Sequence, residues 1–268
     1  MIRLRSENIS VTTLSHLSLV QQRIDSQPNF LERIAKAKAE WLVKSSSKPK
    51  KAAFKEIKNT LLTMCVGVEI CNYCENNEAT DIEHIFPKGL FPERAFLWEN
   101  YLLACKTCNT HYKLDKFAVF EPALSDIDLK ILRGSGQPPT DDALLINPRL
   151  EDPLQYFLLD IIGRTFVLVT RMDLTPRNQK RASYTLKLLG LNSRNILLKA
   201  REKAATYFVN RLNCYADVKE AVDMQSLLNA VRYPQLVDQG LPFAMEHNNI
   251  KVALQNDIMQ CNHPTVWQ

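Results

Sequence analysis

The segment "CNYCENNEATDIEHIFPKGLFPERAFLWENYLLACKTCN", residues 71–109, decides how this part of the chain folds. It opens with one C-x-x-C pair, Cys71 and Cys74, and closes with another, Cys105 and Cys108. Two such pairs joined by a hairpin supply four thiolates to one tetrahedral Zn²⁺ ion. A thioredoxin-type redox site would explain only one pair, and four buried cysteines without metal is the plainest alternative. We predict a structural zinc site, closed on all four sides to substrate.

The local patterns between the cysteine pairs predict two strands and a helix. "TDIEHIF" alternates like a strand that ends at Pro87, and "KGLFPERAF" is typical of a loop. A helix is expected to begin at the second cysteine pair. The resulting β-β-turn-helix module, about Cys71 to Phe117, is too small for a self-sufficient apolar core, so a structural metal would stabilise it.

Helical periodicity dominates the rest of the chain. "NFLERIAKAKAEWLVK", with Asn29 as N-cap, and "KAAFKEIKNTLLTM" predict two amphipathic helices with lysine-rich outer faces. "RTFVLVT" predicts a strand. A break at Gly190–Asn192 separates two further helices, the second capped by Ser193, and "DMQSLLNAVRYPQLVD" suggests another short helix.

These patterns together predict an α+β fold that is mostly α. We expect an N-terminal helical segment over residues 1–66, a zinc-stapled module over 67–120, and a mainly helical C-terminal lobe over 121–268.

Composition is that of an ordinary globular protein of 268 residues, 46% hydrophobic and 24% charged. No apolar run approaches the roughly 18–20 residues that a membrane-spanning helix needs, and the start has no secretory h-region. We therefore expect a cytoplasmic protein with no membrane contact. In that reducing compartment the seven cysteines are not a disulfide framework. Cys65, Cys214 and Cys261, outside the two pairs, are expected to be small buried hydrophobes.

The charge balance permits a nucleic-acid partner without requiring one. The net charge is +5, and the stretch from Lys36 to Lys58 contains only Glu40 and Glu56 as acids. Taken alone, such a lysine run is more simply explained as the solvated face of a helix.

The polar residues inside the cysteine-bounded hairpin suggest hydrolytic chemistry. Phosphodiester hydrolysis needs a base for water, a divalent cation for the developing charge, and a group that orients the base. His84 can be the base, because neutral imidazole is available at pH 7. Glu83 and Asn109 offer oxygens suited to Mg²⁺ or Mn²⁺. Asn100 can fix the imidazole, through its other ring nitrogen or through the backbone.

Three neighbouring residues need separate interpretation. Asp81 lies on the same strand face as Glu83, and it is either a second carboxylate at the metal or a structural hydrogen-bond partner. Lys113 shares the helix face of Asn109, and it either binds phosphate or is solvated. His111 lies about 200° around the helix from Asn109, so we expect it to point away from the site.

"CNYC…DIEHIFPK…WENYLLACKTCN…K" resembles the ββα-metal motif of HNH endonucleases, in the subclass stapled by two C-x-x-C pairs. This resemblance implies that His84 is the general base, that Asn100 orients it, and that Glu83 and Asn109 bind the catalytic metal. The third position is Asn109 here, which makes an H-N-N variant and leaves the choice between Mg²⁺ and Mn²⁺ open.

A weaker likeness extends into "LLINPRLEDPLQYF" and "LKLLGLNSRNILLKAR", and it resembles the PtuB-type HNH proteins of Septu anti-phage systems and of retrons. The resemblance implies a nuclease effector that acts together with a PtuA-like ATPase. Its expected substrate is nucleic acid, and DNA in particular. A retron reverse transcriptase with its ncRNA and msDNA is a further implied partner. No P-loop sequence occurs in this chain, so any ATP dependence must come from another one. The alternatives are a stand-alone restriction or nicking enzyme and a non-catalytic zinc-stapled module that binds nucleic acid.

Overall fold

The computed structural model describes residues 1–65, 69–121, 129–132 and 136–206. It divides the chain into two compact units, Met1–Tyr156 with Thr170–Gly190, and Phe157–Val169 with Leu191–Gln268. Helices and small sheets occur together, which agrees with the α+β class. The boundaries of the three segments expected from the sequence stay a prediction.

The first unit opens with three helices, α1 (Val11–Asp25), α2 (Phe30–Leu42) and α3 (Lys48–Met64). The predicted N-cap of α2 is confirmed, because the Asn29 side chain accepts a hydrogen bond of 3.0 Å from the Glu32 amide.

The next elements form the hairpin that carries the candidate site. Strands β1 (Asp81–His84) and β2 (Tyr101–Ala104) pair antiparallel, with His84 opposite Tyr101. The long connection between them contains two 3₁₀ turns, Pro92–Arg94 and Trp98–Asn100.

A π-helix (Thr107–Lys113) follows β2 and begins beside the second cysteine pair. Its last turn is closed by an i→i+5 bond of 2.9 Å from the Leu114 amide to the Asn109 carbonyl. Leu114 ends it with a φ of +50° and a ψ of −131°, a positive-φ conformation that a leucine adopts only under strain.

An aromatic cluster joins the three-helix layer to this hairpin. The Trp41 ring of α2 lies 5.5 Å from Phe54, 5.9 Å from Phe96 and 5.7 Å from Tyr101, measured between ring centroids. Phe54, Phe96 and Tyr101 are almost completely buried. Such edge-on aromatic packing stabilises the contact beyond its buried area.

The described part of the rest of the first unit includes a second sheet, a 3₁₀ turn (Pro153–Gln155) and a further helix. Strands β3 (Phe117–Phe120) and β4 (Leu129–Leu132) pair antiparallel, and α4 (Pro176–Leu189) ends at Gly190 in the left-handed conformation. The contacts of α4 include the π-helix.

The second unit has a short sheet and a helix. Strands β5 (Phe157–Ile162) and β6 (Thr165–Thr170) pair across Gly163, which has a φ of +62°. The strand predicted at "RTFVLVT" is thus confirmed.

A helix over residues 195–206 follows in this second unit. Arg194, not the predicted Ser193, provides its first acceptor: the Arg194 carbonyl binds the amides of Leu197 and Leu198. The observed cap position is therefore Arg194, one residue after the serine that the sequence predicted. The helix predicted at "DMQSLLNAVRYPQLVD", with Cys214 and Cys261, lies outside the described residues.

Within the described residues, no helix combines the length and the apolar character needed to span a bilayer.

Candidate metal centre and active-site cleft

The four paired cysteines meet in one buried cluster. The sulfur atoms of Cys71, Cys74, Cys105 and Cys108 all lie within 4.8 Å of one another. The Cys74 and Cys105 sulfurs are 3.9 Å apart, which is far longer than a disulfide bond. Zn–S bonds of about 2.3 Å in a tetrahedron would place the sulfurs about 3.8 Å apart. The cluster therefore fits a zinc site.

The electrostatics of the cluster also suit a cation. Burial raises the pKa of the Cys71 thiol well above its usual value, while hydrogen bonds from Cys108 and Cys71 lower the pKa of Cys105. The Cys105 sulfur accepts hydrogen bonds from the Cys108 amide at 3.4 Å and from the Asn77 side chain at 3.7 Å. Several buried thiolates repel one another, so a bound divalent cation would stabilise their ionised form.

The cluster is joined to the hairpin by the first C-x-x-C turn. The Asn72 amide donates to the Leu103 carbonyl, and the Leu103 amide donates to the Asn72 side chain, both at 2.9 Å. Leu103 belongs to β2, so the cysteine cluster and the strand pair form one framework.

An open cleft brings three of the predicted site residues together. Glu83, His84 and Asn109 line it, and so do Lys88 and Asp115. The cleft has a volume of about 190 Å³ and is open to solvent. On this measure one water molecule needs about 10–15 Å³. There is room here for a hydrated divalent cation and a phosphate group.

The imidazole of His84 is held as one tautomer. Its Nε2 lies 3.0 Å from the Ala95 carbonyl, which also accepts a 2.8 Å bond from the Tyr101 hydroxyl. A carbonyl can only accept, so Nε2 carries the proton and Nδ1 keeps the lone pair. Burial lowers the pKa of His84 well below its usual value, and the charges of Lys88 and Lys113 lower it further. The ring is therefore a neutral base with a defined basic atom.

Asn100 fixes the same loop through the backbone, which is one of the two routes that the sequence left open. Its side chain accepts from the Phe86 amide at 2.7 Å and donates to the carbonyls of Phe86 and Arg94 at 3.0 and 2.8 Å. Arg94 is the neighbour of Ala95, whose carbonyl holds His84. A buried amide with three such bonds sets the position of that carbonyl.

Asp81 and Asn109 contact each other across the strand and the π-helix. Asn109 Nδ2 donates to Asp81 Oδ2 at 2.9 Å, and the Thr80 hydroxyl donates to Asp81 Oδ1 at 3.0 Å. This is the structural hydrogen bond that was one alternative for Asp81. Because the Asn109 nitrogen is engaged, Oδ1 is the atom that Asn109 can offer to a cation.

Glu83 and Lys113 form a buried ion pair. Lys113 Nζ lies 2.6 Å from Glu83 Oε1 and donates to the His84 carbonyl at 2.6 Å. Burial raises the pKa of Glu83, and the Lys113 charge opposes that rise. Lys113 is fully buried, so contact with phosphate would require this ion pair to open. A cation at Glu83 would bind beside an ammonium group that already neutralises the carboxylate in part.

For some residues in or near the cleft, the sequence predicted a position outside the site or predicted no role. His111 is exposed, and it does not line the cleft. Lys88, Asp115 and the Ala95 carbonyl were not predicted. Lys88 follows Pro87, at which the predicted strand ends, and this position was the sequence signal that could have pointed to it. A backbone carbonyl has no sequence signal at all.

Comparison with known proteins gives a distant relative. No protein-family model matches the chain. The chain is 24% identical over 260 residues to the Septu protein PtuB of Bacillus thuringiensis, an alignment that covers 92% of this chain and 88% of that protein. The similarity therefore runs well beyond the cysteine-bounded hairpin.

Proposed function

We propose that this protein is a metal-dependent endonuclease of the HNH type that hydrolyses phosphodiester bonds in nucleic acid. DNA is the substrate that we expect. The observation that carries the proposal is the His84 imidazole, whose Nε2 is tied to a carbonyl so that Nδ1 is the basic atom. It lines one cleft with Glu83 and Asn109. A neutral, positioned imidazole beside hard oxygen ligands suits water activation next to a divalent cation.

In the proposed reaction His84 Nδ1 takes a proton from the attacking water. Asn100 and the Ala95 carbonyl keep the imidazole in its tautomer. Glu83 and Asn109 would hold Mg²⁺ or Mn²⁺, which supplies electrostatic stabilisation for the pentavalent phosphorus and the departing 3′ oxygen. Asp81 orients Asn109, and its direct contact with the metal stays a prediction. The phosphate contact of Lys113 also stays a prediction.

The cysteine cluster would hold one structural Zn²⁺ ion, separate from the catalytic metal. Its four donors are sulfur, which suits zinc, whereas the cleft offers oxygens, which suit Mg²⁺ or Mn²⁺.

We extend the proposal to anti-phage defence, with this chain as the nuclease effector beside a PtuA-like ATPase. The similarity to a Septu protein over most of both chains supports this role. A retron reverse transcriptase with its RNA and msDNA is a further proposed partner. Co-purification with the product of a neighbouring ATPase gene would distinguish this complex from a stand-alone enzyme, which would cleave without it.

The decisive test compares His84→Ala with His111→Ala. Both remove a histidine from the same module, but His111 is exposed and outside the cleft. Plasmid DNA and RNA are incubated with each protein, alone and with its co-purified partner, with and without Mg²⁺ or Mn²⁺. We expect His84→Ala to slow cleavage roughly 10²–10⁴-fold, the usual contribution of a general base. His111→Ala should cleave like the wild type.

Equal activity of the two variants would contradict the role of His84. A wild-type protein that binds nucleic acid but never cuts it, under any of these conditions, would favour the non-catalytic zinc-stapled module.

A further inference from the structure

Lys88 places an ammonium group at the cleft and forms no ion pair with a carboxylate among the residues that the structure describes. It lines the same cleft as His84 and Asn109, and it is half-buried. In the described parts of the chain, no carboxylate oxygen lies within 4.0 Å of its ammonium nitrogen. Lys113, in contrast, is committed to Glu83.

The Trp41 ring holds two ammonium groups beside the candidate base. Lys88 Nζ lies 5.7 Å and Lys44 Nζ 4.7 Å from the ring centroid, and the His84 ring is 4.2 Å away. Cation–π contacts orient an ammonium group but do not neutralise its charge. One indole from α2 therefore contacts two ammonium groups, and one of them, that of Lys88, belongs to a residue that lines the cleft.

The charges around Lys88 favour an anion at this position. Burial lowers the pKa of Lys88, and the charges of Lys113 and Lys38 act in the same direction, while Asp115 and Glu83 oppose them. Burial also lowers the pKa of Lys44. Each ammonium group is thus partly desolvated without full compensation, and a bound anion would stabilise both.

We propose that Lys88 and Lys44, oriented by Trp41, bind phosphodiester oxygens of the nucleic-acid backbone beside His84. This inference rests on the proposed nuclease function and adds the substrate contact to it. Lysine binds phosphate as a point charge, so the contact positions the strand without reading its sequence. Lys88 contacts the backbone next to the reacting bond, and Lys44, two residues beyond the end of α2, extends the contact away from it.

The test measures binding, not cleavage. A fluorescein-labelled 24-bp DNA duplex, with single-stranded DNA and RNA of the same sequence as further probes, is titrated with the full-length protein. Anisotropy is recorded at several KCl concentrations without added Mg²⁺ or Mn²⁺, and gels check that the probe stays intact. Lys88→Met keeps the aliphatic contact with Trp41, and Lys88→Arg keeps the charge. Lys187→Met removes one exposed charge from α4 and is the matched control.

Loss of one phosphate contact reduces the slope of log K against log salt by about 0.9 for duplex DNA and about 0.7 for single strands. We expect that change, and about tenfold weaker binding at low salt, for Lys88→Met. Lys187→Met and Lys88→Arg should keep the parental slope, and melting temperatures should show that all variants are folded.

If Lys88→Met kept the parental slope while the wild type still cleaved, the phosphate contact would be wrong and the nuclease proposal would stand. If the wild type neither bound nor cleaved any probe, alone or with its partner, both proposals would fail.

Discussion

At the level of one residue, Asn100 fixes the loop around His84, the proposed base, through hydrogen bonds to the backbone. Its amide group bonds to the backbone on two sides of the His84 loop, through Phe86 and through Arg94. It makes no direct bond to the imidazole among the described contacts. In the proposed reaction its effect would therefore pass through the Ala95 carbonyl, which sets the tautomer of His84.

Replacing Asn100 by Asp should separate this positioning role from simple packing. Aspartate keeps the size and the acceptor for the Phe86 amide, but it would place carboxylate oxygen against two carbonyls. We expect Asn100→Asp to lower the free energy of unfolding by about 1–3 kcal/mol, the cost of unsatisfied buried groups, and to reduce cleavage well beyond the loss of folded protein. Urea unfolding and single-turnover rates would measure both. Cleavage in proportion to the folded fraction would contradict the positioning role.

Glu151 gives the protein a pH-dependent contribution to stability. Burial raises the pKa of Glu151, but bonds from Arg181, Tyr156 and the Asn147 amide outweigh it, so the pKa is lowered overall. The Arg181 Nη1–Glu151 Oε2 distance is 2.8 Å. A pKa lowered by folding stabilises the protein above the unfolded value, about 4.3, and this stabilisation is lost as the pH falls through the folded value.

We therefore expect Glu151→Gln to destabilise the protein by roughly 1 kcal/mol at pH 7, since the pair is partly exposed, and by progressively less as the pH falls below 4. Melting curves between pH 7 and pH 3 would check this, with the exposed Glu78→Gln as control. A difference that is the same at every pH would count against the ion pair.

At the level of elements, α1 supports the loop that carries Ala95. The Gln21 side chain accepts from the Phe96 amide at 2.8 Å and donates to the Pro92 carbonyl at 3.1 Å. These two bonds lie on either side of Ala95 in the sequence. A helix far from the cysteine pairs in sequence is thus part of what holds His84 in place.

Gln21→Met keeps the volume and removes both bonds, and its exposed neighbour gives the control Gln22→Met. We expect Gln21→Met to lower the cleavage rate at saturating nucleic acid with little change in binding, because a loosened carbonyl leaves the base misplaced. It should also lower the free energy of unfolding by about 1–3 kcal/mol. If only binding changed, the link from α1 to His84 would be refuted.

The cysteine cluster joins the hairpin to the π-helix, and its metal can be tested separately from catalysis. Cys71→Ser should lose bound zinc and folded yield, because a structural zinc ion contributes directly to folding. Cys65→Ser changes another buried cysteine outside the cluster and should keep its zinc. Metal analysis should find one zinc ion per chain in the wild type. A folded Cys71→Ser protein with normal stability and no zinc would disprove the structural role.

Across the whole molecule, the sequence predicted the parts whose signal is local. Paired cysteines, the strand that ends near His84 and the cap at Asn29 can be read from spacing and residue type. The support of the cleft could not be predicted, because it comes from distant residues. Arg149 donates to the carbonyls of Trp98 and Tyr101 at 2.6 and 2.7 Å, on either side of Asn100. Nothing in the pattern around Arg149 indicates those partners.

The environment of Lys113 also depends on residues that are distant in sequence. Helical spacing put it on the face of Asn109, but spacing does not show whether a lysine faces solvent or a buried carboxylate. The ion pair with Glu83 depends on how β1 and the π-helix pack, which is a tertiary property.

Gly190 is translated after all the proposed catalytic residues, and it lies where α4 packs against the π-helix. It has a φ of +59°, and a side-chain carbon there would come within 2.2 Å of the Tyr112 ring in the π-helix. The end of α4 therefore fits closely against the helix that carries Asn109. A ribosome makes the cysteine pairs, His84 and Asn109 long before it makes residue 190. During that interval the nascent chain contains every proposed catalytic residue but lacks the close packing of α4 on the π-helix.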